Sequence, residues 1–338
     1  MNPKKSILIT GASGFIGSYL VNEALQRGYE VWAGIRQHSS RKALQAPGIH
    51  FIDLQYDDKE ALVEQLREVT PWNYVIHNAG ITKTTRKADF YRVNAHNTHI
   101  LIEALAEADC KPEKFLLMSS LSSYGPVNDA SLKPIRLEDE QMPDSLYGKS
   151  KLEAESFVKA QKHFPYVILL PTGVYGPGDK DYLMEIKSIQ SGFDFKIGLK
   201  PQQITFIYVK DLAVAAWLAL ENEKIKNTSY FVADGDVYTD AEFARIVREL
   251  LGKRRVINLR FPFWIGYIAC FFSGWIGRIT GKASTLNLDK YKILKQRNWM
   301  CETEPLRLEL GFFPAYNLND GLKETIQYAL KNGLISKL

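Results

Sequence analysis

LITGASGFIGSYL, residues 8–20, joins a short apolar run to an amphipathic run through three glycines, Gly11, Gly14 and Gly17. Glycines at such a junction allow a tight turn, close approach of the backbone to a pyrophosphate, and close packing of the helix on the strand. The helix that begins there also presents free N–H groups and the positive end of its dipole to phosphates. The stretch therefore predicts the first strand, turn and helix of a dinucleotide-binding fold. The same turn supplies three further predicted cofactor contacts, Ser13, Phe15 and Ile16.

The first half of the chain alternates between short apolar runs and longer amphipathic stretches. Six runs predict strands buried on both faces, namely SILIT, YEVWAGI, IHFIDL, YVIHNAG, EKFLLMSS and YVILLP. The stretches between them predict helices over residues 15–27, 59–69, 90–108 and 147–163. This alternation predicts an α/β protein with a Rossmann-type, doubly wound parallel sheet covered by helices on both faces.

After PTGVYGPGDKD the pattern loosens and predicts a smaller, mixed C-terminal lobe. The sheet-like run QQITFIYV and the helical run KDLAVAAWLALE are expected to return to the main fold. We therefore assign residues 1–171 and about 205–231 to the dinucleotide-binding domain. Residues from about 172 to 204 and from 232 to 338 form the predicted substrate-binding lobe.

The composition is that of an ordinary globular protein, with 46% hydrophobic and 24% charged residues in a chain of 338. The net charge of +5 comes from scattered basic residues, so nucleic acid is not indicated as a partner. Three widely separated cysteines fit a reducing compartment, and we expect a cytoplasmic protein. His96 and His99 lie one helical turn apart without a third ligand, so no metal site is predicted. The N-terminal run is too short for a signal peptide and predicts a strand.

One segment departs from this profile. Residues 261–277, FPFWIGYIACFFSGWIG, are uncharged and rich in aromatic side chains. They are fewer than the roughly 20 that a membrane-spanning helix needs, and Pro262 with three glycines interrupts them. The segment predicts a buried helix or a wall of the substrate pocket, with contact at a membrane surface as the alternative.

The tip of the second predicted strand bears on the choice of dinucleotide. NAD selectivity needs an acidic residue about 20 positions after the glycines, to hold the ribose 2′-hydroxyl. Here Arg36 follows the strand, and Arg41 and Lys42 come soon after it. A guanidinium can bind a 2′-phosphate through two hydrogen bonds. The sequence therefore favours NADP(H), with NAD as the alternative.

Several motifs occur together in the order typical of a known superfamily. They are the spacing G-x-x-G-x-x-G, HNAG at 77–80, the serine-rich FLLMSSLSSYGP, Tyr147-x-x-x-Lys151, PTGVYGPGD and FIYVKDLA. Over nearly its whole length the chain resembles the extended short-chain dehydrogenases/reductases, the NAD(P)-dependent epimerase/dehydratase family. The resemblance implies that Asp53 contacts the adenine and that His77 is a packing residue. It implies further cofactor contacts from Leu54, Asn78, Ala79, Gly80, Pro171, Thr172 and Val174.

Tyr147 and Lys151 should lie on one face of a helix beside the nicotinamide end of the crevice. A free phenol has a pKa of about 10 and is a poor base at neutral pH. A neighbouring ammonium, together with the positive charge of an oxidised nicotinamide, stabilises the phenolate. Tyr147 is therefore the predicted acid and base, with Lys151 as the residue that adjusts its pKa and holds the nicotinamide ribose.

The serine-rich strand end is expected to supply the third member of the site. The resemblance implies that Ser120 orients the substrate oxygen, with Ser119 and Ser122 as the alternatives. It also implies that Asn94 lies near the active site, so Asn94 belongs to the predicted catalytic set.

The family includes nucleotide-sugar epimerases and dehydratases, hydroxysteroid dehydrogenases, and reductases of flavonol or cinnamoyl type. An Arg that usually contacts the sugar-nucleotide diphosphate is replaced here by the neighbourhood of Gln203 and Ile204, with Lys196, Lys200 or an Arg elsewhere as the alternative contact, and no Asp-Glu pair follows the serines. GFDFKIG and residues 261–277 indicate an apolar pocket, or else the plain core of the second lobe.

We therefore predict an NADP(H)-preferring oxidoreductase that interconverts a secondary alcohol and a ketone on a largely apolar, steroid- or flavonoid-like substrate. A nucleotide-sugar 4-epimerase that retains NAD and a non-catalytic NADP-sensing protein are the alternatives. The resemblance also implies a homodimer formed through the helices at 90–108 and 147–163.

Overall fold

The computed structural model describes residues 4–36, 38–69, 72–281 and 284–336. Its strands are β1 (Ser6–Thr10), β2 (Glu30–Ile35), β3 (Ile49–Asp53), β4 (Tyr74–His77), β5 (Lys114–Met118), β6 (Tyr166–Pro171), β7 (Gly173–Tyr175), β8 (Phe193–Ile197), β9 (Gln203–Ile204), β10 (Phe206–Tyr208), β11 (Thr228–Val232), β12 (Tyr238–Thr239), β13 (Ile257–Phe261) and β14 (Asn298–Trp299). Its α-helices are α1 (Phe15–Gln26), α2 (Lys59–Glu68), α3 (Ala88–Phe90), α4 (Asn97–Glu107), α5 (Leu146–Ala160), α6 (Asp181–Gln190), α7 (Val209–Glu221), α8 (Asp240–Leu250), α9 (Phe263–Ile279), α10 (Leu288–Leu294), α11 (Glu304–Leu310) and α12 (Leu318–Lys331).

Seven parallel strands form the main sheet, in the order β11–β6–β5–β4–β1–β2–β3. The six apolar runs predicted as strands are β1 to β6, so the predicted Rossmann-type sheet is confirmed. The strand order reverses between β1 and β4. In a doubly wound sheet the carboxyl ends of the strands at such a point border the ligand-binding crevice.

Both faces of the sheet are buried under helices. Side chains alternate along a strand, so Ile7 and Ile9 point to one face of β1 and Leu8 to the other. Helices α1 and α7 cover the first face, and α2, α4 and α5 cover the second. All three β1 side chains are fully buried, and each such burial contributes about 1.5–3 kcal/mol. The sheet therefore holds the loops at its carboxyl edge on a rigid base.

The second lobe is built from three small sheets and the helices packed around them. β10 pairs with β7, β9 lies between β12 and β14, and β13 pairs with β8. The run QQITFIYV, predicted to return to the main fold, therefore pairs within these small sheets. The reason is that β7 leaves the main sheet directly after Pro171, and β10 pairs with β7. Helix α7 and strand β11 make the return, and the domain boundaries stay a prediction.

Two predicted helices differ in detail from the structure. The helix predicted over 90–108 begins at Ala88 and contains a π-helical turn, Tyr91–His96, before α4. Such wider turns re-aim a side chain and are frequent at functional sites, and this one carries Asn94. The helix predicted over 147–163 is α5, which ends at Ala160 because Gln161 turns to an extended backbone. These are the helices of the predicted homodimer, which stays a prediction.

The aromatic segment forms α9, but the prediction that it is buried is wrong. Only Gly266, Cys270 and Gly277 of this helix are buried, whereas its largest side chains are exposed. The other prediction, that the segment forms a wall of the pocket, is confirmed for the side of α9 that faces the protein, where Ile265 and Ala269 line a cavity. Within the part of the chain that the structure describes, no helix has the length and hydropathy to cross a membrane.

Candidate active site

The glycine turn after β1 lies against the loop after β4. Gly11 has a φ of 64°, and a Cβ on it would lie 2.8 Å from the Cα of Ala79. A Cβ on Gly17 would lie 2.1 Å from the carbonyl oxygen of Gly11. Neither position therefore accepts a side chain, and the bare backbone at the start of α1 is left open to a phosphate group. Gly17 acts by packing the helix on the turn and does not itself face the crevice.

A cavity of about 2280 Å³ runs from this turn across the carboxyl edge of the sheet into the second lobe. Pockets for single ligands usually have volumes of about 300–1,000 Å³, so this cavity has room for a dinucleotide and a second molecule. Sixteen of the predicted cofactor residues line it, namely Gly11, Ser13, Gly14, Phe15, Ile16, Arg36, Asp53, Leu54, Asn78, Ala79, Gly80, Tyr147, Lys151, Pro171, Thr172 and Val174.

Arg41 is a predicted cofactor residue that the structure does not bring to the cavity. Its guanidinium carbon lies 4.3 Å from the centre of the Phe51 ring, in a cation–π contact. The side chain of Arg36, in contrast, is exposed at the cavity wall. Of the two arginines considered for a 2′-phosphate, only Arg36 is therefore placed to meet one.

The predicted serine, tyrosine and lysine lie together at the cavity wall. Ser145 begins α5, and its hydroxyl accepts a hydrogen bond from the backbone N–H of Gly148. The next turn of the helix presents Tyr147 and Lys151 on one face, and Tyr147 forms a side-chain hydrogen bond with Ser120. The strand end after β5 and the first turn of α5 therefore meet at a hydroxyl pair.

Burial sets the charge state of both members of the helix pair. It raises the pKa of the Tyr147 hydroxyl, and the hydrogen bond with Ser120 lowers it. The sequence predicts a lowered pKa for Tyr147, from Lys151 and a nicotinamide cation together. In the protein itself the Lys151 ammonium donates a hydrogen bond to the carbonyl of Met118, at 2.8 Å. Burial lowers the pKa of Lys151 to about 8, with the carboxylate of Glu155 acting in the opposite direction.

The other serine candidates are arranged differently. Ser119 is buried and donates its hydroxyl hydrogen bond to Glu155, away from the tyrosine. Ser122 lines the cavity, and its backbone N–H donates to the hydroxyl of Ser120 at 3.2 Å. Ser120 is therefore the serine that both lines the cavity and reaches Tyr147.

Asn94 lies behind the cavity wall and is not among the residues that line the cavity, and its place in the catalytic set stays a prediction. Its amide exchanges hydrogen bonds with both backbone groups of Ile81, at 2.8 and 3.0 Å, and donates one to Ser150, at 2.9 Å. The π-helical turn places this side chain between the loop after β4 and helix α5. Asn94 therefore ties that loop to α5. His77 is also buried, and its Nδ1 lies 2.9 Å from the Thr10 hydroxyl.

Asp289 is a functional residue that the sequence reasoning missed. Its carboxylate accepts hydrogen bonds from the backbone N–H groups of Leu146 and Tyr147, the latter at 3.2 Å. A carboxylate at a helix N-terminus is stabilised by the unpaired N–H groups and the helix dipole. The contact spans 142 residues, and no local pattern around Asp289 signals it. The second lobe thus holds the first turn of the catalytic helix.

Most of the lysines that line the far end of the cavity have carboxylate partners. Lys196 contacts Glu185 at 2.7 Å and Asp194 at 3.0 Å, and Lys83 and Lys290 both contact Asp181, at 3.8 and 3.2 Å. Lys180 also lines the cavity, is exposed, and has no ion pair among the described residues. Lys83, Lys196 and Lys290 are therefore paired with carboxylates, whereas Lys180 is not.

Residues 7–233 match the NAD dependent epimerase/dehydratase family. The chain belongs to this family. It is accordingly an enzyme of the extended short-chain dehydrogenase/reductase type that works with a nicotinamide dinucleotide, and the predicted family is confirmed. No group of three or more His, Cys, Asp or Glu side chains among residues 4–36, 38–69, 72–281 and 284–336 is arranged to hold a metal.

The relatives of this family member differ in substrate. UDP-glucose 4-epimerase of Vibrio cholerae is 26% identical over 339 residues, covering 97% of this chain and 96% of the relative. Sterol-4-alpha-carboxylate 3-dehydrogenase, decarboxylating, of Dictyostelium discoideum is 24% identical over 340 residues, covering 95% and 99%. Ceramide reductase of Caulobacter vibrioides is 24% identical over 332 residues, covering 98% and 96%.

A solved structure shares the fold of this chain over nearly the whole length of both proteins. MoeE5 in complex with UDP-glucuronic acid and NAD is 23% identical, covers 97% of this chain and 99% of its own, and has a TM-score of 0.75. The family and its relatives leave the substrate of this chain open between sugar nucleotides and apolar molecules.

The buried Lys151 gives a testable dependence of stability on pH. Its pKa is about 8 in the folded protein and 10.5 as the ordinary value, so between these pH values the unfolded chain binds the extra proton. The free energy of unfolding therefore rises with pH through this window. Relative to Lys151→Met, the wild-type protein should gain about 3 kcal/mol across it, measured by urea unfolding at a series of pH values. An equal change in both proteins would contradict the lowered pKa.

Proposed function

We propose that this enzyme is an NADP(H)-preferring oxidoreductase that interconverts a secondary alcohol and a ketone on a largely apolar substrate. The observation that carries the proposal is the wall of the cavity in the second lobe. Lys196 and Lys290 in this wall are paired with carboxylates, and the apolar side chains of Ile265 and Ala269 cover the side formed by α9. A nucleotide diphosphate would need free cations there to replace its hydration, whereas an apolar molecule needs only surface.

The triad supplies the proton chemistry of this reaction. When bound along the glycine turn, a nicotinamide dinucleotide would supply the hydride for the carbonyl carbon in reduction and would accept it from the alcohol carbon in oxidation. In reduction, Tyr147 gives its hydroxyl proton to the substrate oxygen; in oxidation, it takes the proton from the alcohol. Ser120 donates a hydrogen bond to the same oxygen, and the Lys151 ammonium lowers the cost of the phenolate. Asn94 and Asp289 fix the loop and the helix that carry these groups.

The comparisons support an apolar substrate as well as a sugar nucleotide. Two relatives that span nearly the whole chain are, by name, a sterol-carboxylate dehydrogenase and a ceramide reductase, and both names describe lipids. A third is a UDP-glucose 4-epimerase. Gln203 and Ile204 form β9 in this chain, and the arginine beside them, Arg297, accepts a backbone hydrogen bond from Gln203 at 2.7 Å and is not among the residues that line the cavity. The paired lysines are the observation that supports the apolar class over the sugar nucleotide.

The test is a substrate comparison with one readout for each class. Purified enzyme with NADPH is given keto-lipids and keto-steroids in mixed micelles, and in parallel UDP-glucose. We expect NADPH oxidation with at least one ketone and no formation of UDP-galactose. Conversion of UDP-glucose by enzyme that copurifies with NAD would overturn the proposal in favour of the 4-epimerase. Loss of ketone reduction in Tyr147→Phe separates catalysis by this site from a purely NADP-sensing role.

The NADP(H) preference predicts a specific effect of Arg36→Ala. A hydrogen bond to a charged group contributes about 1.5–3 kcal/mol, so the variant should bind NADPH roughly 10- to 100-fold more weakly and NADH almost unchanged. Arg41→Ala is the matched control, because Arg41 stacks on Phe51 outside the cavity. Calorimetric titration of both dinucleotides into the three proteins measures this. A parallel loss of NADPH and NADH affinity would contradict the assignment.

A further inference from the structure

Helix α9 exposes large apolar side chains along most of its length. Trp264, Phe272, Trp275 and Ile279 are 63%, 54%, 53% and 65% exposed. Further exposed members are Phe263, Tyr267, Ile268, Phe271 and Ile276. At about 150–250 Å² for each aromatic side chain, these nine expose on the order of 900 Å². The largest apolar patch of a typical monomer is about 300–600 Å², and an excess marks a binding surface.

The helix is packed with its small residues inward. Gly266, Cys270 and Gly277 face the protein, and a Cβ on Gly266 would lie only 2.9 Å from the side chain of Ile197. A helix that serves as core turns its largest apolar side chains inward and its polar ones to water. Here the inner contact is made through glycine, which lets α9 lie close to β8 while the tryptophans point outward. The exposed face is therefore not part of a core.

The two-stranded sheet of β8 and β13 continues this surface. Phe193 and Phe195 stack with ring centres 5.7 Å apart, and Phe195 stacks on Phe261 at 6.2 Å. Phe193 and Phe195 are themselves exposed, whereas Asp194 and Lys196 between and beyond them are buried. The sheet thus turns charged side chains inward and aromatic ones outward. We call α9 and this outer sheet face the aromatic face.

Positive charge flanks the aromatic face along the chain. From Leu250 to Leu288 the sequence has no Asp or Glu, but it has six Lys or Arg residues. Arg260 pairs with Asp240 at 2.9 Å. Arg254, Arg255 and Arg278 are exposed, and in the described part of the chain no ion pair involves them. Exposed tryptophans beside unpaired cations are the pattern of a helix that lies in the interface of an anionic bilayer.

We propose that the aromatic face docks on an anionic lipid bilayer. A second copy of the chain fits less well, because packing two aromatic faces together would bring the same unpaired arginines close to one another. The helices of the predicted homodimer, α4 and α5, lie outside this face. In the docked protein the aromatic side chains enter the acyl boundary and the arginines meet lipid phosphates.

The docking surface adjoins the active-site cavity. The inner side of α9 lines the cavity through Ile265 and Ala269, so one helix separates the bilayer from the site. Tyr267 of α9 packs edge-on against Tyr291 of α10, the helix that carries Asp289. On the proposed function, a lipid-borne ketone would thus reach the cavity beside α9 without crossing water, and this step rests on that function.

Co-sedimentation with vesicles tests the docking directly. Full-length protein is mixed with vesicles of phosphatidylcholine alone or with phosphatidylglycerol added. We expect binding that strengthens with phosphatidylglycerol. The double variant Trp264→Gln/Phe272→Gln should lower the partition coefficient about tenfold or more, because it removes two inserted side chains. The matched control Leu308→Gln/Phe313→Gln changes two side chains, both 69% exposed, outside the aromatic face and should stay within about twofold of wild type.

A second pair of variants tests the contribution of the arginines to vesicle binding. Each cation near an anionic surface contributes about 1 kcal/mol, so Arg254→Ala/Arg255→Ala should weaken binding to phosphatidylglycerol vesicles roughly 25-fold. Lys224→Ala, an exposed lysine after α7, is the control and should have no effect. Equal losses in test and control variants would contradict docking through this face.

The remaining outcomes separate docking from catalysis. One outcome would overturn the proposal in favour of a second copy of the chain. In that outcome the wild-type protein binds none of the vesicles, and Trp264→Gln/Phe272→Gln converts a dimer into a monomer. Reduction of a micellar ketone without vesicle binding would refute the docking and leave the proposed function standing. Vesicle binding without reduction of any ketone would refute the proposed function and leave the docking standing.

Discussion

Replacing Tyr147 with phenylalanine is expected to lower kcat for ketone reduction by a factor of about 10²–10⁴, the usual contribution of a general acid. The ring and its contact with Phe90 remain, so the fold and the affinity for NADPH should be unchanged. The steady-state rate and a calorimetric titration of NADPH measure the two quantities. Because the lost interaction acts in the transition state, kcat should fall with little change in KM.

Tyr182→Phe is the matched control for this prediction. Tyr182 lines the same cavity and is half-buried against the second-lobe core, but its hydroxyl lies beside Gly173 and not beside Ser120. Its variant should keep kcat within about threefold of wild type, as is usual for a phenol that takes no part in proton transfer. A Tyr147→Phe enzyme that kept more than a tenth of the wild-type kcat would remove Tyr147 from the role of acid.

Replacing Gly17 with alanine is expected to abolish dinucleotide binding. The new methyl group would lie 2.1 Å from the carbonyl oxygen of Gly11 and 2.8 Å from the Cα of Ala12, and both are backbone atoms that cannot move aside. The turn must therefore open. We expect a loss of at least about 3 kcal/mol in the free energy of unfolding, and a fall in NADPH affinity of about 100-fold or more.

Gly274→Ala provides the comparison, since it is the same change inside a helix. A Cβ there meets nothing closer than 3.5 Å, so alanine should be neutral or stabilise α9 by up to about 1 kcal/mol. Thermal unfolding with and without NADPH measures both variants. If Gly17→Ala still gained thermal stability from NADPH, the close contact at the turn would not be essential to the site.

Local patterns were enough to predict the sheet and most of the cofactor wall. A buried parallel strand must be apolar along its length, and a tight phosphate turn must use glycine, so both leave a signal within a few residues. The spacing of Tyr147 and Lys151 is likewise a property of one helix turn. What these patterns could not give was the direction of a mobile side chain. Arg36 and Arg41 are the same residue type in the same loop. Their different roles become visible only in the structure, where Arg41 stacks on Phe51.

Long-range contacts and the orientation of α9 also lay beyond prediction. The carboxylate of Asp289 meets α5 across the whole second lobe, and nothing next to it in sequence marks that contact. High apolar content predicted that residues 261–277 are buried, because content alone does not tell which side of a helix faces water. The spacing of Gly266, Cys270 and Gly277 places these small residues on one side of the helix. That spacing was the available sequence signal that α9 turns its small residues towards the protein.

The attachment of α10 to the start of the catalytic helix limits how the enzyme can release its product. Besides the two hydrogen bonds that Asp289 accepts from Leu146 and Tyr147, Lys292 donates to the carbonyl of Asp144 at 2.7 Å, and Lys295 contacts the Asp144 carboxylate at 3.1 Å. A hinge motion that parted the lobes would break all of these at once. With a net contribution of about 1 kcal/mol from each of these four contacts, the parted state would hold roughly one molecule in a thousand. A catalytic cycle that required the lobes to part would therefore have to pass through a rarely populated state, whereas local opening at the rim of the cavity would leave all four contacts in place.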